Sequence, residues 1–112
     1  MENILHVRQG DWPAIESSSR PVLVDFWAQW CVPCHLFAPT FARLAEAYGD
    51  KITFAKVSVD EAPELIRQLE IRSIPTLLLL RKGKVLEELV GAQPYDELAR
   101  ILERHVMARV KK

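Results

Sequence analysis

The chain has only two cysteines, Cys31 and Cys34, and three scattered histidines among its 112 residues. A closed structural zinc site needs four ligands, so this supply argues against zinc and we expect no bound metal. Fifteen acidic residues balance fifteen basic ones, which gives no electrostatic reason to expect nucleic acid or an anionic membrane as a partner. No apolar run approaches the roughly 18 residues of a membrane-spanning helix.

Repeats, low-complexity tracts and linkers are also missing, so we place no domain boundary and expect a single domain over residues 1–112. Residues 1–8 show neither an extended apolar region nor a small-residue cleavage site, which predicts a cytoplasmic protein. Structural disulfides are rare in the cytoplasm, so a cysteine pair there is better suited to redox cycling than to stapling the fold. Nothing in the sequence suggests an obligate interface, and a monomer is expected.

Hydrophobic periodicity predicts an α/β fold with a mixed sheet and helices on both faces. The predicted strands are residues 4–7, 22–27, 52–59, 76–80 and 85–90, and the predicted helices are residues 12–17, 31–48 and 61–69 and a last helix opened by Pro94. Asp11 and Asp60 are predicted N-caps, and Gly49 is predicted to stop the second helix in the C′ position. Residues 81–84 form a tight hairpin turn in which Gly83 is available for a positive φ.

Cys31 and Cys34 are spaced by one helical turn and directly follow the predicted strand over residues 22–27. A C-x-x-C pair at the junction of a strand and a helix is typical of a dithiol redox site. Unpaired backbone N–H groups and the helix dipole favour the thiolate there, and typically lower a cysteine pKa from about 8.5 to about 7 or below. We therefore expect Cys31 to be the partly exposed attacking thiolate and Cys34 to be the shielded second thiol.

Two other interpretations of this pair remain open at this point. Cysteines at helical spacing are often small buried hydrophobic residues with no reactivity. The pair together with His35 also matches C-x-x-C-H, the attachment pattern of c-type haem. Haem attachment would require export, a second axial ligand and a pocket for the porphyrin, and the pattern match is its only support.

Asp25 is the one charged residue in an otherwise apolar strand. A buried carboxylate is costly unless it is neutral or paired, so Asp25 is either a satisfied structural acid or a functional one. Lys56 lies on the same strand face as Ile52 and Phe54, so its ammonium is expected to point inward as the partner of Asp25. Burial raises the pKa of Asp25 and Lys56 lowers it, and the sequence leaves open which effect is larger.

Several separated motifs resemble those of the thioredoxin family over residues 21–106. They are residues 24–28 before Trp30, Cys31, Pro33 and Cys34; Ala38-Pro39; residues 54–57 with Val59-Asp60; residues 71–76; and residues 90–92. The resemblance implies the thioredoxin fold, with a central mixed sheet of about five strands flanked by about four helices. It also implies a protein disulfide reductase, an enzyme that holds no cofactor beyond a reversible Cys31–Cys34 disulfide.

The family pattern assigns further roles to single residues of this chain. Asp25 resembles the buried acid that moves a proton to or from the second cysteine, with Lys56 beside it. A groove for protein disulfide substrates is implied at Trp30, Val32, Pro33, Ile74, Pro75, Gly91 and Ala92, with Ile74-Pro75 as the family's cis-proline. Turnover in this family depends on a thioredoxin reductase that draws on NADPH or ferredoxin.

Two departures from the family lie in the site itself. Val32 replaces the usual glycine, and His35 replaces the usual lysine or arginine. Residues between and beside the cysteines tune thiolate stability and reduction potential. The resemblance therefore implies thiol–disulfide exchange but does not fix the reduction potential of this pair. The nearest alternative to a protein disulfide reductase is an oxidant or isomerase with a higher reduction potential. The other alternative is a non-catalytic module that binds partners through Trp30, Pro75 and Gly91.

Overall fold

Within residues 3–110, five strands and four α-helices follow one another in the predicted order. A computed structural model describes residues 3–110. The strands are β1 (Ile4–His6), β2 (Val22–Trp27), β3 (Thr53–Ser58), β4 (Thr76–Arg81) and β5 (Lys84–Val90), and the helices are α1 (Trp12–Glu16), α2 (Val32–Tyr48), α3 (Pro63–Leu69) and α4 (Tyr95–Val110). Short 3₁₀ turns over Gln9–Asp11 and Val59–Glu61 precede α1 and α3.

The strands form one mixed sheet in the order β1-β3-β2-β4-β5. Strands β1, β3 and β2 are parallel, whereas β4 runs antiparallel to β2 and β5 runs antiparallel to β4. The central strand β2 places Asp25 between Lys56 of β3 and Leu77 of β4. The predicted covered central strand is therefore confirmed, and Asp25 lies in the middle of the sheet.

Helices cover both faces of the sheet, and each face has its own apolar core. On one face α2 and α4 bury side chains that include Phe41 and Leu102 against Phe54 of the sheet. On the other face α1 and α3 bury Trp12 and Leu65. None of the helices within residues 3–110 is both long and apolar enough to cross a membrane.

Two local predictions about helix ends need correction. Asp11 is in the N-cap position of α1 as predicted, but its carboxylate makes no capping hydrogen bond to that helix; it accepts a hydrogen bond from the backbone N–H of Arg8 at 3.1 Å in the preceding 3₁₀ turn. Helix α2 ends at Tyr48 as predicted, but Gly49 has a right-handed φ of −63°. A Cβ there would lie 2.5 Å from the carbonyl oxygen of Ala45, so close packing rather than a left-handed backbone accounts for this glycine.

The predicted hairpin between β4 and β5 is confirmed. Lys82 and Gly83 have φ values of 52° and 78°, the two positive values that a type I′ turn requires. The backbone N–H groups of these two residues also donate to the carbonyl groups of Ser18 and Glu16 at 2.8 Å each. The turn is thereby attached to the last residue of α1 and to the loop that follows it.

Glu87 links β5 to the C-terminal helix. Its Oε2 accepts hydrogen bonds from Nε2 of His105 at 2.8 Å and from Arg104 at 3.2 Å. The hydrogen bond from His105 lowers the pKa of Glu87 below its usual 4.5, against the opposing effect of burial, and Arg104 acts in the same direction as His105. Because the folded-state pKa is lowered, this stabilisation is present above pH 4.5 and is lost as the pH falls through the folded-state pKa.

We expect Glu87→Gln to lower the free energy of unfolding by about 1 kcal/mol at pH 7 and by a smaller amount at pH 3. Denaturant titrations of both proteins at the two pH values measure the difference. Glu88→Gln is the matched control, since Glu88 is exposed on the opposite face of the same strand. An equal loss at both pH values would contradict the electrostatic origin of the effect.

Candidate active site

The two cysteines lie where β2 leads into α2 and are joined by a disulfide, with Cα atoms 5.3 Å apart. Cys31 is the N-cap of α2, and its Sγ accepts a hydrogen bond from the backbone N–H of Cys34 at 3.2 Å. A sulfur in this position takes up one of the orphan N–H donors of the first turn. The local structure is therefore arranged to stabilise negative charge on Cys31.

The predicted partial exposure of Cys31 is wrong for this disulfide state. Cys31 is 5% exposed and Cys34 is 3% exposed. Ala28 is buried with the pair, and Val59 and Ile74 pack against it. Both sulfurs of the disulfide are buried against these apolar residues, so the exposed fraction does not distinguish the two cysteines. Their positions in α2 differ, since Cys31 is the N-cap and Cys34 lies in the first turn.

Trp30 forms an exposed rim beside the disulfide, as predicted, with 66% of its surface in solvent. Its indole Nε1 donates a hydrogen bond to Oδ2 of Asp60 at 2.8 Å. The prediction that Asp60 caps α3 is therefore wrong: Asp60 lies in the 3₁₀ turn, and α3 begins at Pro63 with Ala62 in the N-cap position. Proline at the first helical position explains that start. No sequence signal indicated the contact between Trp30 and Asp60.

Ile74 and Pro75, two of the predicted substrate-contact residues, are joined by a cis peptide bond. The backbone N–H of Gly91 donates to the carbonyl oxygen of Pro75 at 2.8 Å, and Gly91 has a φ of +91°, a conformation that glycine adopts without strain. This bond fixes the loop that carries the exposed Ala92 beside the proline. Val32 and Pro33, in the first turn of α2, are both exposed.

An apolar cavity of about 330 Å³ opens next to Trp30. It is lined by Trp30, Val59, Ile66, Ile71, Arg72, Ser73 and Ile74. Val59 and Ile74 also pack against the cysteine pair, so the cavity continues the surface of the redox site toward α3. The contribution of α3 to this surface was missed from the sequence, because periodicity alone does not show which side chains surround a gap.

Asp25 is 1% exposed, and its Oδ1 has no hydrogen-bond partner. Burial raises the pKa of this carboxyl from 3.8 to about 7, and the charge of Lys56 lowers it by a smaller amount. The competition that the sequence left open is therefore decided by desolvation. A carboxyl with a pKa near neutrality exchanges its proton readily at the pH where thiol exchange takes place.

Lys56 is the lateral neighbour of Asp25 in the β2–β3 register, so the two side chains share a face of the sheet. No ion pair joins these two described residues, although the prediction of an inward-pointing ammonium partner would require one. Lys56 is half-buried. Its ammonium lies 4.8 Å from the centre of the Trp27 ring and acts on Asp25 through its charge. A polar cavity of about 280 Å³ borders the lysine and is lined by His6, Val7, Arg8, Trp27, Gln29, Lys56, Ser58 and Glu61. Lys56 therefore has access to solvent on the side of the sheet edge.

The arrangement of the cysteine pair in this structure differs from those expected for inert core cysteines or for haem attachment. The two sulfurs are bonded to each other, and Nε2 of His35 lies 2.6 Å from the carbonyl oxygen of Gln29. Among the residues that the structure describes, no three histidine, cysteine or acidic side chains are grouped to hold a metal ion. The geometry is that of a dithiol–disulfide couple at a helix N-terminus.

Comparisons with known proteins agree with this geometry. The family model described as Thioredoxin matches residues 4–104. A thioredoxin of Alicyclobacillus acidocaldarius is 52% identical over 79 residues, which cover 70% of this chain and 75% of that protein. A thioredoxin of Haemophilus influenzae is 38% identical over 107 residues, covering 95% of this chain and all of that protein. The crystal structure of a Malassezia sympodialis thioredoxin superimposes with a TM-score of 0.86 at 28% identity, covering 95% and 93% of the two chains.

Proposed function

The chain belongs to the thioredoxin family of thiol–disulfide oxidoreductases, and from that membership we propose how its own residues reduce protein disulfides. The observation that carries the proposal is the Cys31–Cys34 pair at the start of α2, with Sγ of Cys31 already accepting a backbone N–H. That pair is the redox centre, and the enzyme cycles between its dithiol and disulfide forms.

Cys31 is the nucleophile in this proposal. Its thiolate attacks one sulfur of the substrate disulfide, a mixed disulfide forms, and the other substrate sulfur leaves as a thiolate that takes up a proton. The Cys34 thiolate then attacks Sγ of Cys31 and releases the second substrate thiol. Two electrons pass to the substrate, and the protein is left with the Cys31–Cys34 disulfide. The second step is intramolecular, and therefore fast, because the two sulfurs are already adjacent.

Asp25 is the proton carrier for Cys34. Its carboxyl is buried, lacks a partner at Oδ1 and has a pKa of about 7, so it is able to take the thiol proton directly or through water. Lys56 is proposed to moderate this acid through its charge. The polar cavity beside Lys56 is a route by which solvent protons reach the neighbourhood of the pair.

The substrate is proposed to lie across Trp30, Val32, Pro33, Ile74, Pro75, Gly91 and Ala92. An extended peptide segment pairs with the backbone beside Ile74 and Pro75 in the manner of an added strand. Trp30 and Val32, both 66% exposed, supply apolar contact area on the rim. Backbone pairing makes few demands on substrate side chains, which suits a reductase with many protein substrates.

A separate reductase returns the disulfide to the dithiol, and its electron source is NADPH or ferredoxin. We further propose that residues 1–112 form one domain, that the protein acts as a monomer in the cytoplasm, and that it binds neither nucleic acid nor membrane. The even charge balance, with fifteen acidic and fifteen basic residues, supports the last two points.

The reduction potential of the Cys31–Cys34 pair tests the proposed function. The protein is equilibrated in graded glutathione buffers, and its thiols are trapped and counted by mass spectrometry. We expect a reduction potential of about −270 mV, the value characteristic of thioredoxin and of a protein that reduces disulfides. A value at or above about −180 mV would instead indicate an oxidant or isomerase. Val32→Gly and His35→Lys, which introduce the residues usual in the family, would then be the first substitutions to test. Absence of reversible exchange would favour the non-catalytic binding module.

A further inference from the structure

His35 holds the active-site loop at two points. Its backbone N–H donates to the carbonyl oxygen of Cys31 at 3.3 Å, as expected in the first turn of α2. Its ring Nε2 lies 2.6 Å from the carbonyl oxygen of Gln29. A carbonyl oxygen only accepts, so Nε2 carries the proton in this contact. The exposed side chain thus ties the loop before Cys31 to the helix after it.

The ring of His35 makes a second contact on the side of the sheet. It packs edge-to-face against Trp27, with the ring centres 5.9 Å apart and the planes at 85°. The same indole holds the ammonium of Lys56 at 4.8 Å from its centre. Trp27 therefore contacts both the surface histidine and the lysine whose charge acts on Asp25. A contact that fixes the position of the indole also fixes the surface against which the cation lies.

We propose that His35 is a positioning residue of the exchange reaction. Its Nε2–H holds the loop from Gln29 to Cys31 in place for attack on the substrate. Its ring holds Trp27 and, through Trp27, the ammonium of Lys56 beside Asp25. The inference rests on the proposed function, because a positioning role has meaning only if Cys31 and Cys34 react.

The two contacts can be separated by substitution. His35→Gln keeps an N–H donor but removes the ring, His35→Phe keeps an aromatic ring but removes the donor, and His35→Ala removes both. The charged and titratable groups near Lys56 are Asp25 on β2 and His6, Arg8 and Glu61 around the polar cavity. All of these groups are the same in the three variants, so a difference between the variants reports on His35.

The experiment measures two rates in each variant against a peptide disulfide. Mixed-disulfide formation by Cys31 is followed under single-turnover conditions, and the pH dependence of the second step is followed from pH 5 to 9. We expect His35→Phe and His35→Ala to slow the first step by about fivefold, with His35→Gln close to wild type. We expect His35→Gln and His35→Ala to raise the pH midpoint of the second step by about half a unit, since Lys56 moves away from Asp25, with His35→Phe unchanged.

This crossed pattern separates a positioning role from a merely structural one. Glu46→Gln, at an exposed position on the same helix, is the control and should leave both rates unchanged. Equal effects of the glutamine and phenylalanine variants on both steps, or no effect of either, would overturn the inference while leaving the proposed function intact. Absence of thiol exchange in the wild-type protein would overturn the proposed function itself.

Discussion

Cys31→Ser is expected to reduce turnover of protein disulfides by a factor on the order of 10³ or more, because the attacking thiolate is removed. Cys34→Ser should behave differently, since Cys31 still attacks but the mixed disulfide is no longer resolved. We therefore expect this second variant to accumulate a covalent adduct with its substrate. Mass spectrometry after incubation with a peptide disulfide detects the adduct, which a reducing agent should release.

The contrast between the two cysteines tests which of them is the nucleophile. Ala47→Ser, an exposed serine substitution on the same helix, should retain wild-type turnover. If the adduct instead formed on Cys34 in Cys31→Ser, the assigned order of attack would be reversed. If neither variant lost turnover, the dithiol mechanism would fail, and a binding role through Trp30 and the neighbouring groove would be the better account.

We expect the free energy of unfolding of Asp25→Asn, taken relative to that of wild type, to increase as the pH rises. Burial raises the pKa of the folded-state carboxyl from 3.8 to about 7. Between these values the folded state keeps a proton that the unfolded chain has lost, so the free energy of unfolding falls as the pH rises and then levels off. Each pH unit in this interval costs about 1.4 kcal/mol, which gives a total penalty on the order of 4 kcal/mol above pH 7.

Denaturant titrations of the oxidised proteins at pH 5 and pH 8.5 measure this effect. The free energy of unfolding of wild type, taken relative to Asp25→Asn, should fall by about 3 kcal/mol between the two conditions. Subtracting the variant cancels the pH dependence of other groups such as Glu87. Asp50→Asn, at an exposed aspartate, should show no comparable change. A constant difference between wild type and Asp25→Asn would mean that the carboxyl titrates normally despite its burial.

The same variant affects catalysis through the second step. Without a proton acceptor at position 25, the reaction of Cys34 should become slower near neutral pH and should lose its dependence on a group titrating near pH 7. If Asp25→Asn is stabilised at high pH but resolves the mixed disulfide more slowly, then Asp25 accelerates the reaction and lowers the stability of the folded protein. A stabilised variant with unchanged kinetics would limit Asp25 to a structural role.

Much of the fold could be predicted because its signals are local. The apolar run of β2 and the positive φ at Gly83 follow from neighbouring residues alone, and the spacing of Cys31 and Cys34 was sufficient to locate the redox pair. The positive φ at Lys82 was not predicted. The predictions for Asp11 and Asp60 failed where a side chain found a partner outside the helix it was expected to cap. The carboxylate of Asp11 accepts a hydrogen bond from Arg8, and that of Asp60 accepts one from Trp30.

The sequence by itself determined the order of strands and helices, the position of the cysteine pair and the face shared by Asp25 and Lys56. Only the tertiary structure decided that burial outweighs the charge of Lys56 at Asp25, that Cys31 is covered in the disulfide state, and that His35 contacts both Gln29 and Trp27. Periodicity and spacing describe what lies near a residue along the chain. Desolvation, side-chain contacts and cavities depend on atoms brought together from distant segments, and these set the chemistry of the site.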